Sequence, residues 1–153
     1  RHEIRLRFIG DRTTLTPDLQ AKMQDAERQT EHFSKMSLVI AVSYGGQWDI
    51  ANACRQLAEQ VEKGAMTSEA VNETTLAKFI SLADEPAVDI LIRTGGDFRI
   101  SNFLLWQCAY AELFFTETLF PDFSPNELDE MIAVFLGPDR RFGKTSEQVL
   151  GLK

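Results

Sequence analysis

Two short segments of the sequence share one layout: an apolar run, a Gly-Gly pair and then a run with helical spacing. The first is residues 38–43 followed by Gly45-Gly46, and the second is residues 89–93 followed by Gly95-Gly96. Short apolar runs that alternate with helical patterns are typical of βαβ units, in which helices join parallel strands. The chain is therefore predicted to have an α/β fold with a mostly parallel sheet flanked by helices.

The other elements follow the same two periodicities. In residues 4–9 apolar and charged residues alternate, which predicts a strand that is wet on one face and lies near a sheet edge. Ser124 and Glu127 have the spacing of a capping box that opens a helix. The predicted helices cover about 17–33, 50–61, 76–83, 101–110 and 124–135, and further strands cover 38–43, 89–93 and 113–115.

Length and composition fit a single domain over residues 1–153. A net charge of −7 argues against a nucleic-acid-binding protein, which would carry a basic face. The sequence has no apolar run of 18 residues and no signal peptide, so no membrane span is predicted. Cys54 and Cys108 are predicted to be buried free thiols in a reducing compartment. His2 and His32 lack metal-ligand spacing, so a histidine-ligated metal is not expected.

Two arginines and a serine follow the second apolar run. Arg93 ends the predicted strand, and Arg99 and Ser101 precede the predicted helix 101–110, which Ser101 could cap. Guanidinium groups, a hydroxyl and a helix N-terminus all favour an anion, and open α/β sheets bind ligands at this edge. The pattern predicts a phosphate or diphosphate site. The alternatives are a salt bridge from Arg93 to Asp89 or Asp97, and a solvated Arg99.

Four motifs stand out along the chain: Ile-Arg-Thr-Gly-Gly-Asp-Phe-Arg-Ile-Ser-Asn-Phe-Leu-Leu-Trp-Gln (92–107), Ala-Tyr-Ala-Glu-Leu (109–113), Phe-Pro-Asp-Phe (120–123) and Arg-Arg-Phe-Gly (140–143). Together they resemble the cis-prenyltransferases, above all the bacterial undecaprenyl diphosphate synthases. The resemblance covers residues 5–143 and implies their α/β fold, not the all-helical fold of the trans-prenyltransferases. Asp97 and Phe98 differ from the Glu-His of some members, and Phe120 replaces a common Trp.

The resemblance implies a role for each matching residue. Four residues would bind isopentenyl diphosphate: Arg93, Arg99, Ile100 and Ser101. Two more substrate-binding residues, Arg141 and Gly143, belong to the closing Arg-x-Gly element, which in family dimers reaches the partner's site. Glu112 would be a ligand of Mg²⁺, which usually takes one or two protein carboxylates plus substrate phosphates. The alternative for Glu112 is a buried acid that is hydrogen-bonded to the backbone or to an arginine.

The activity that the resemblance implies is cis-prenyl chain elongation. Isopentenyl diphosphate would be condensed with farnesyl diphosphate in a cytoplasmic homodimer, with peripheral membrane contact for product release. The product would be a long-chain polyprenyl diphosphate, undecaprenyl diphosphate for the carrier lipid of cell-wall peptidoglycan synthesis. The family's Met-Asp-Gly-Asn-Gly-Arg-Trp-like segment is absent, so the catalytic Asp is expected upstream of Arg1 and the chain alone is expected to be inactive.

Two alternatives to the enzyme remain open at this point. The first is a non-catalytic partner subunit of a heteromeric cis-prenyltransferase, although such a scaffold would not need Arg93, Arg99 and Ser101. The second is a generic α/β phosphate-binding module. It ranks last because the sequence has neither a Gly-x-Gly-x-x-Gly motif nor a Walker-type loop.

Overall fold

The computed structural model describes residues 3–137, and the chain divides between Glu85 and Pro86 into two compact units. Each unit contains one pair of parallel strands together with helices, so the predicted α/β class is confirmed. The prediction of a single domain over residues 1–153 stays a prediction.

The first unit is built on two parallel strands, β1 (Ile4–Ile9) and β2 (Met36–Ala41), joined by helix α1 (Pro17–Thr30). The register runs from Ile4 opposite Met36 to Ile9 opposite Ala41. Helix α2 (Gly46–Glu62) and the short helix α3 (Glu73–Ala77) follow. The buried core residues of this unit are Met23, Ala53, Leu57 and Ile80.

Helix α1 covers the outer edge of β1 with polar side chains. The Leu6 N–H donates to Thr30 Oγ1 at 3.0 Å, and the Phe8 N–H donates to Glu27 Oε1 at 2.8 Å. Unpaired N–H groups on an edge strand invite pairing with other chains, so these two bonds protect that edge. Both strands of a two-stranded sheet lie at an edge, so the predicted edge position of β1 in particular stays a prediction.

Four expectations for the first unit are wrong. All six residues of β1 are half-buried, partly because Arg7 pairs with Asp84 and Glu85, so the strand has no wet face. The apolar residues of β2 are not buried, since Leu38 is 44% exposed. Cys54 is an exposed thiol, whereas Cys108 of the second unit is buried as predicted. The expected helix over 76–83 is also displaced, because α3 ends at Ala77.

The second unit contains strands β3 (Ile90–Arg93) and β4 (Glu112–Phe115), which pair in parallel, and helix α4 (Pro125–Phe135). In the register, Ile90 lies opposite Glu112 and Arg93 lies opposite Phe115. Ser124 caps α4, since its hydroxyl accepts from the Glu127 N–H at 3.2 Å. The predicted helix over 101–110 is not formed, and that segment is a series of turns. Leu91 and Cys108 are the buried hydrophobic residues here.

None of the helices within residues 3–137 is long and apolar enough to cross a membrane.

Candidate functional site

The segment that follows β3, residues 93–101, is here called the arginine loop. Gly95 and Gly96 turn the chain with φ values of 89° and 79°, in the left-handed region that favours glycine. Their N–H groups donate to the backbone oxygens of Thr118 and Thr116, both at 2.9 Å. The loop is therefore fastened to the segment that leaves β4, at the C-terminal end of the strand pair.

Arg93 ties the two ends of the loop together. Its Nη1 donates to the backbone oxygen of Arg99 and to Ser101 Oγ, both at 2.7 Å, and its Nη2 donates to Asp97 Oδ2 at 2.7 Å. The Arg93 side chain is 25% exposed. Because three acceptors within the loop share this guanidinium, the loop folds around Arg93.

Arg99 reaches the same carboxylate from the solvent side. Its Nη2 lies 2.7 Å from Asp97 Oδ2, and its side chain is 65% exposed. One oxygen thus accepts from two guanidinium groups, which is the arrangement that an anionic phosphate oxygen would favour. The salt bridge from Arg93 to Asp97 considered from the sequence is therefore present.

The structure brings Arg93, Arg99 and Ser101 together, but Ser101 does not act as a helix cap. Its φ is +53°, and positive φ values at Asn102 and Leu104 continue the turns. The Ser101 hydroxyl is used by Arg93 instead. The expected helix N-terminus is therefore absent from this described segment, which leaves the side chains of the loop as the groups that an anion would meet. Ile100 is half-buried in the loop, and its backbone oxygen accepts from the Phe103 N–H at 3.3 Å.

Phe98 leaves the loop with an exposed aromatic ring. Its side chain is 71% exposed, and its ring centroid lies 5.7 Å from that of Phe115 at the end of β4. A phenyl ring has no lone pair or N–H to offer, so the Phe98 side chain supplies neither a metal ligand nor a conventional hydrogen bond.

Glu112 stands apart from the arginine loop. It is exposed and opens β4, so the alternative of a buried acid is wrong. In the parallel register it pairs with Ile90, three residues before Arg93, so about 10 Å of strand separates it from the loop. No other described residue forms an ion pair with its carboxylate.

A magnesium ion would find one suitable oxygen group at Glu112 and would need further ligands from elsewhere. Among residues 3–137 there is no cluster of three or more His, Cys, Asp or Glu side chains that could hold a metal. Because Mg²⁺ commonly uses one or two carboxylates, phosphate oxygens and water, a single exposed Glu fits part of such a site. Arg141 and Gly143 lie outside the described residues, and their predicted roles stay predictions.

The sequence and the fold both match known proteins. Residues 1–143 match the family model described as putative undecaprenyl diphosphate synthase. The chain belongs to this family. It is 56% identical over 146 residues to the farnesyl-diphosphate-specific ditrans,polycis-undecaprenyl-diphosphate synthase of Acinetobacter baylyi, covering 95% of the chain and 59% of that protein. It is 50% identical over 149 residues to the Xanthomonas axonopodis pv. citri protein of the same name, covering 97% and 58%.

Two solved structures support the same fold. Lavandulyl diphosphate synthase from Lavandula x intermedia, in complex with dimethylallyl diphosphate, is 34% identical with a TM-score of 0.87, covering 94% of this chain and 62% of that one. A probable undecaprenyl diphosphate synthase from Campylobacter jejuni is 37% identical with a TM-score of 0.81, covering 93% and 64%. The chain thus spans under two thirds of the length of these relatives.

The sequence did not indicate that Thr116 and Glu127 support the arginine loop through the segment that leaves β4. Thr116 follows β4, and its hydroxyl donates to Glu127 Oε1 at 2.6 Å. The capping box predicted at Ser124 therefore forms only in its first half, since the Glu127 carboxylate bonds to Thr116. Glu127 was noticed in the sequence, but its spacing from Ser124 predicted a contact at the start of α4 and not the contact with Thr116.

Proposed function

We propose that this chain provides the isopentenyl diphosphate site of a cis-prenyl chain-elongating enzyme. The observation that carries the proposal is the pair of guanidinium groups on one Asp97 oxygen, with the Ser101 hydroxyl beside them. A diphosphate offers several anionic oxygens, and arginine binds such oxygens with charge-assisted hydrogen bonds. Membership in this family favours a prenyl diphosphate over other phosphate compounds as the proposed ligand.

The proposed reaction condenses isopentenyl diphosphate with an allylic diphosphate. Arg93 and Arg99 would bind and orient the diphosphate of the isopentenyl substrate, and Ser101 would accept or donate one further hydrogen bond. Arg141 and Gly143 would complete a site in a homodimer. Magnesium, when bound, neutralises diphosphate charge, and Glu112 would supply one of its oxygen ligands.

The names of the curated relatives support farnesyl diphosphate as the allylic substrate and undecaprenyl diphosphate as the product. The fold does not decide the product by itself, because the lavandulyl diphosphate synthase shares it. We assign the longer product on the 50–56% identity to the bacterial synthases. A role in forming a cell-wall carrier lipid, with the enzyme in the cytoplasm and in transient contact with the membrane, belongs to the same proposal.

The test uses a chimaera in which these 153 residues replace the matching portion of the Acinetobacter baylyi synthase. The chimaera should incorporate radiolabelled isopentenyl diphosphate into long-chain products with farnesyl diphosphate and Mg²⁺, and chromatography should size the products. A folded chimaera that binds farnesyl diphosphate but never incorporates isopentenyl diphosphate would contradict the enzyme. It would favour the non-catalytic partner subunit.

A further inference from the structure

The position of the arginine loop depends on the segment that leaves β4. Both amides of the Gly95-Gly96 pair donate to that segment, to the backbone oxygens of Thr118 and Thr116. The Thr116 N–H in turn donates to the Arg93 backbone oxygen at 3.0 Å. Three backbone bonds therefore transfer any shift of residues 116–118 to the guanidinium groups of the loop.

The hydroxyl of Thr116 fixes the conformation of this segment. Thr116 Oγ1 accepts from the Thr118 N–H at 3.1 Å, which closes a local turn between the two backbone oxygens that hold the glycines. The same hydroxyl donates to Glu127 Oε1 at 2.6 Å, a length typical of a charge-assisted O–H···O⁻ bond. Thr116 and Glu127 are both half-buried, so solvent competes only partly for these bonds.

Glu127 makes this contact instead of a local one. Ser124 already caps α4 by accepting from the Glu127 N–H, and the carboxylate could return to the Ser124 N–H in a full capping box. It bonds to Thr116 instead, which joins the first turn of α4 to the segment behind the arginine loop. The helix thus holds the loop through one side-chain hydroxyl.

We infer that Thr116, held by Glu127, is a positioning residue that sets the arginine loop for diphosphate binding. The identity of the ligand rests on the proposed function, whereas the contacts of Thr116 with the loop do not. Thr116 is assigned no contact with the substrate. Its effect reaches Arg93 and Arg99 through the Gly95-Gly96 backbone.

The first measurement is calorimetric titration of the 153-residue chain with isopentenyl diphosphate. Thr116→Val preserves the side-chain shape but removes the hydroxyl, so the Kd should rise about tenfold, as for one lost hydrogen bond. Thr116→Ser keeps the hydroxyl and should bind within about twofold of the unchanged chain. Ser124→Ala is the matched control, because it removes the α4 cap and leaves Thr116 alone. It should lower the melting temperature without changing the Kd.

The second measurement is amide hydrogen exchange of Gly95 and Gly96 without ligand. Thr116→Val should accelerate both amides about tenfold relative to the unchanged chain, and Thr116→Ser should restore protection. Unchanged exchange in Thr116→Val, or Thr116→Ser behaving like Thr116→Val in both measurements, would overturn the inference. The variants could show the expected differences in exchange although the unchanged chain binds no isopentenyl diphosphate. That result would contradict the proposed function and would still support the role of Thr116 in holding the loop.

Discussion

The two arginines of the loop should respond differently to replacement by alanine. Arg93 makes three contacts inside the loop and is 25% exposed, whereas Arg99 makes one contact, with Asp97, and is 65% exposed. Arg93→Ala should therefore destabilise the fold and weaken diphosphate binding together. Arg99→Ala should weaken diphosphate binding alone.

The magnitudes follow from these contacts. The two bonds from Arg93 to uncharged acceptors contribute about 0.5–1.5 kcal/mol each, and its partly exposed ion pair adds about 0–1 kcal/mol. Arg93→Ala should cost about 2 kcal/mol of unfolding free energy, which lowers the melting temperature by about 4–8 °C in a chain of this size. Arg99→Ala should cost under about 0.5 kcal/mol because its single pair is solvent-screened. Each arginine that binds diphosphate should contribute about ten- to a hundredfold in affinity.

The assay combines thermal melts with titration by isopentenyl diphosphate. Arg55→Ala is a matched control, because Arg55 forms a similar exposed pair with Glu59 at 2.7 Å, on α2. It should change neither the affinity nor the stability by more than the error. In the chimaera, both loop variants should raise the KM for isopentenyl diphosphate and leave that for farnesyl diphosphate unchanged. Equal melting temperatures for Arg93→Ala and Arg99→Ala would refute the structural role of Arg93, and a selective loss of farnesyl diphosphate affinity would refute the site assignment.

Three further outcomes are expected. Iodoacetamide should alkylate Cys54 in the native chain within minutes and Cys108 only after unfolding, because burial raises the pKa of the Cys108 thiol; mass spectrometry of both labelled forms checks this. Burial alone would raise the pKa of Glu27. The hydrogen bonds from Arg12 and from the Phe8 N–H, together with the charges of Arg12 and Arg7, outweigh burial and hold that pKa below its usual 4.5. This stabilisation is present above pH 4.5 and is lost as the pH falls through the lowered pKa. The unfolding free energies of Glu27→Gln and of the unchanged chain should therefore converge in acid. A constant difference between these two free energies in urea melts from pH 3 to 7 would contradict this expectation. Glu112→Gln in the chimaera should raise the Mg²⁺ concentration needed for activity without changing the melting temperature, and an unchanged Mg²⁺ titration would remove Glu112 from the metal site.

The strands and the long helices could be predicted from the sequence because their signals are local. The strand over residues 4–9 matches β1, and Thr16 with Pro17 opens α1 as an N-cap and first-turn proline do. On α2 the helical spacing predicted one face with Cys54 and Leu57, of which Leu57 is buried and Cys54 is exposed. Local signals therefore place these elements, but they do not fix which faces are buried, since β1 has no wet face and Cys54 of α2 is exposed.

The failures occurred where contacts distant in sequence decide the conformation. Spacing in residues 101–110 predicted a helix, but Arg93 takes the Ser101 hydroxyl, and Ser101 adopts a positive φ that no helix accommodates. The loss of the capping box at Ser124 has a similar cause, since Thr116 lies eleven residues before Glu127. Periodicity carries no information on such partners, because the competing acceptor is absent from the local window.

Asp97 explains how two guanidinium groups stand side by side before any anion binds. Two like charges repel, and one carboxylate oxygen that accepts from both at 2.7 Å offsets that repulsion. The Arg93–Asp97–Arg99 group keeps one net positive charge, which still attracts a more highly charged diphosphate. If the loop binds diphosphate as proposed, Arg99 is the group that turns to it, because it breaks only one bond and is already 65% exposed. Arg93 can keep its bonds to Ser101 and to the loop backbone meanwhile. Binding would then reorient one side chain on a loop that is already folded, which avoids much of the ordering entropy that assembling the site would cost.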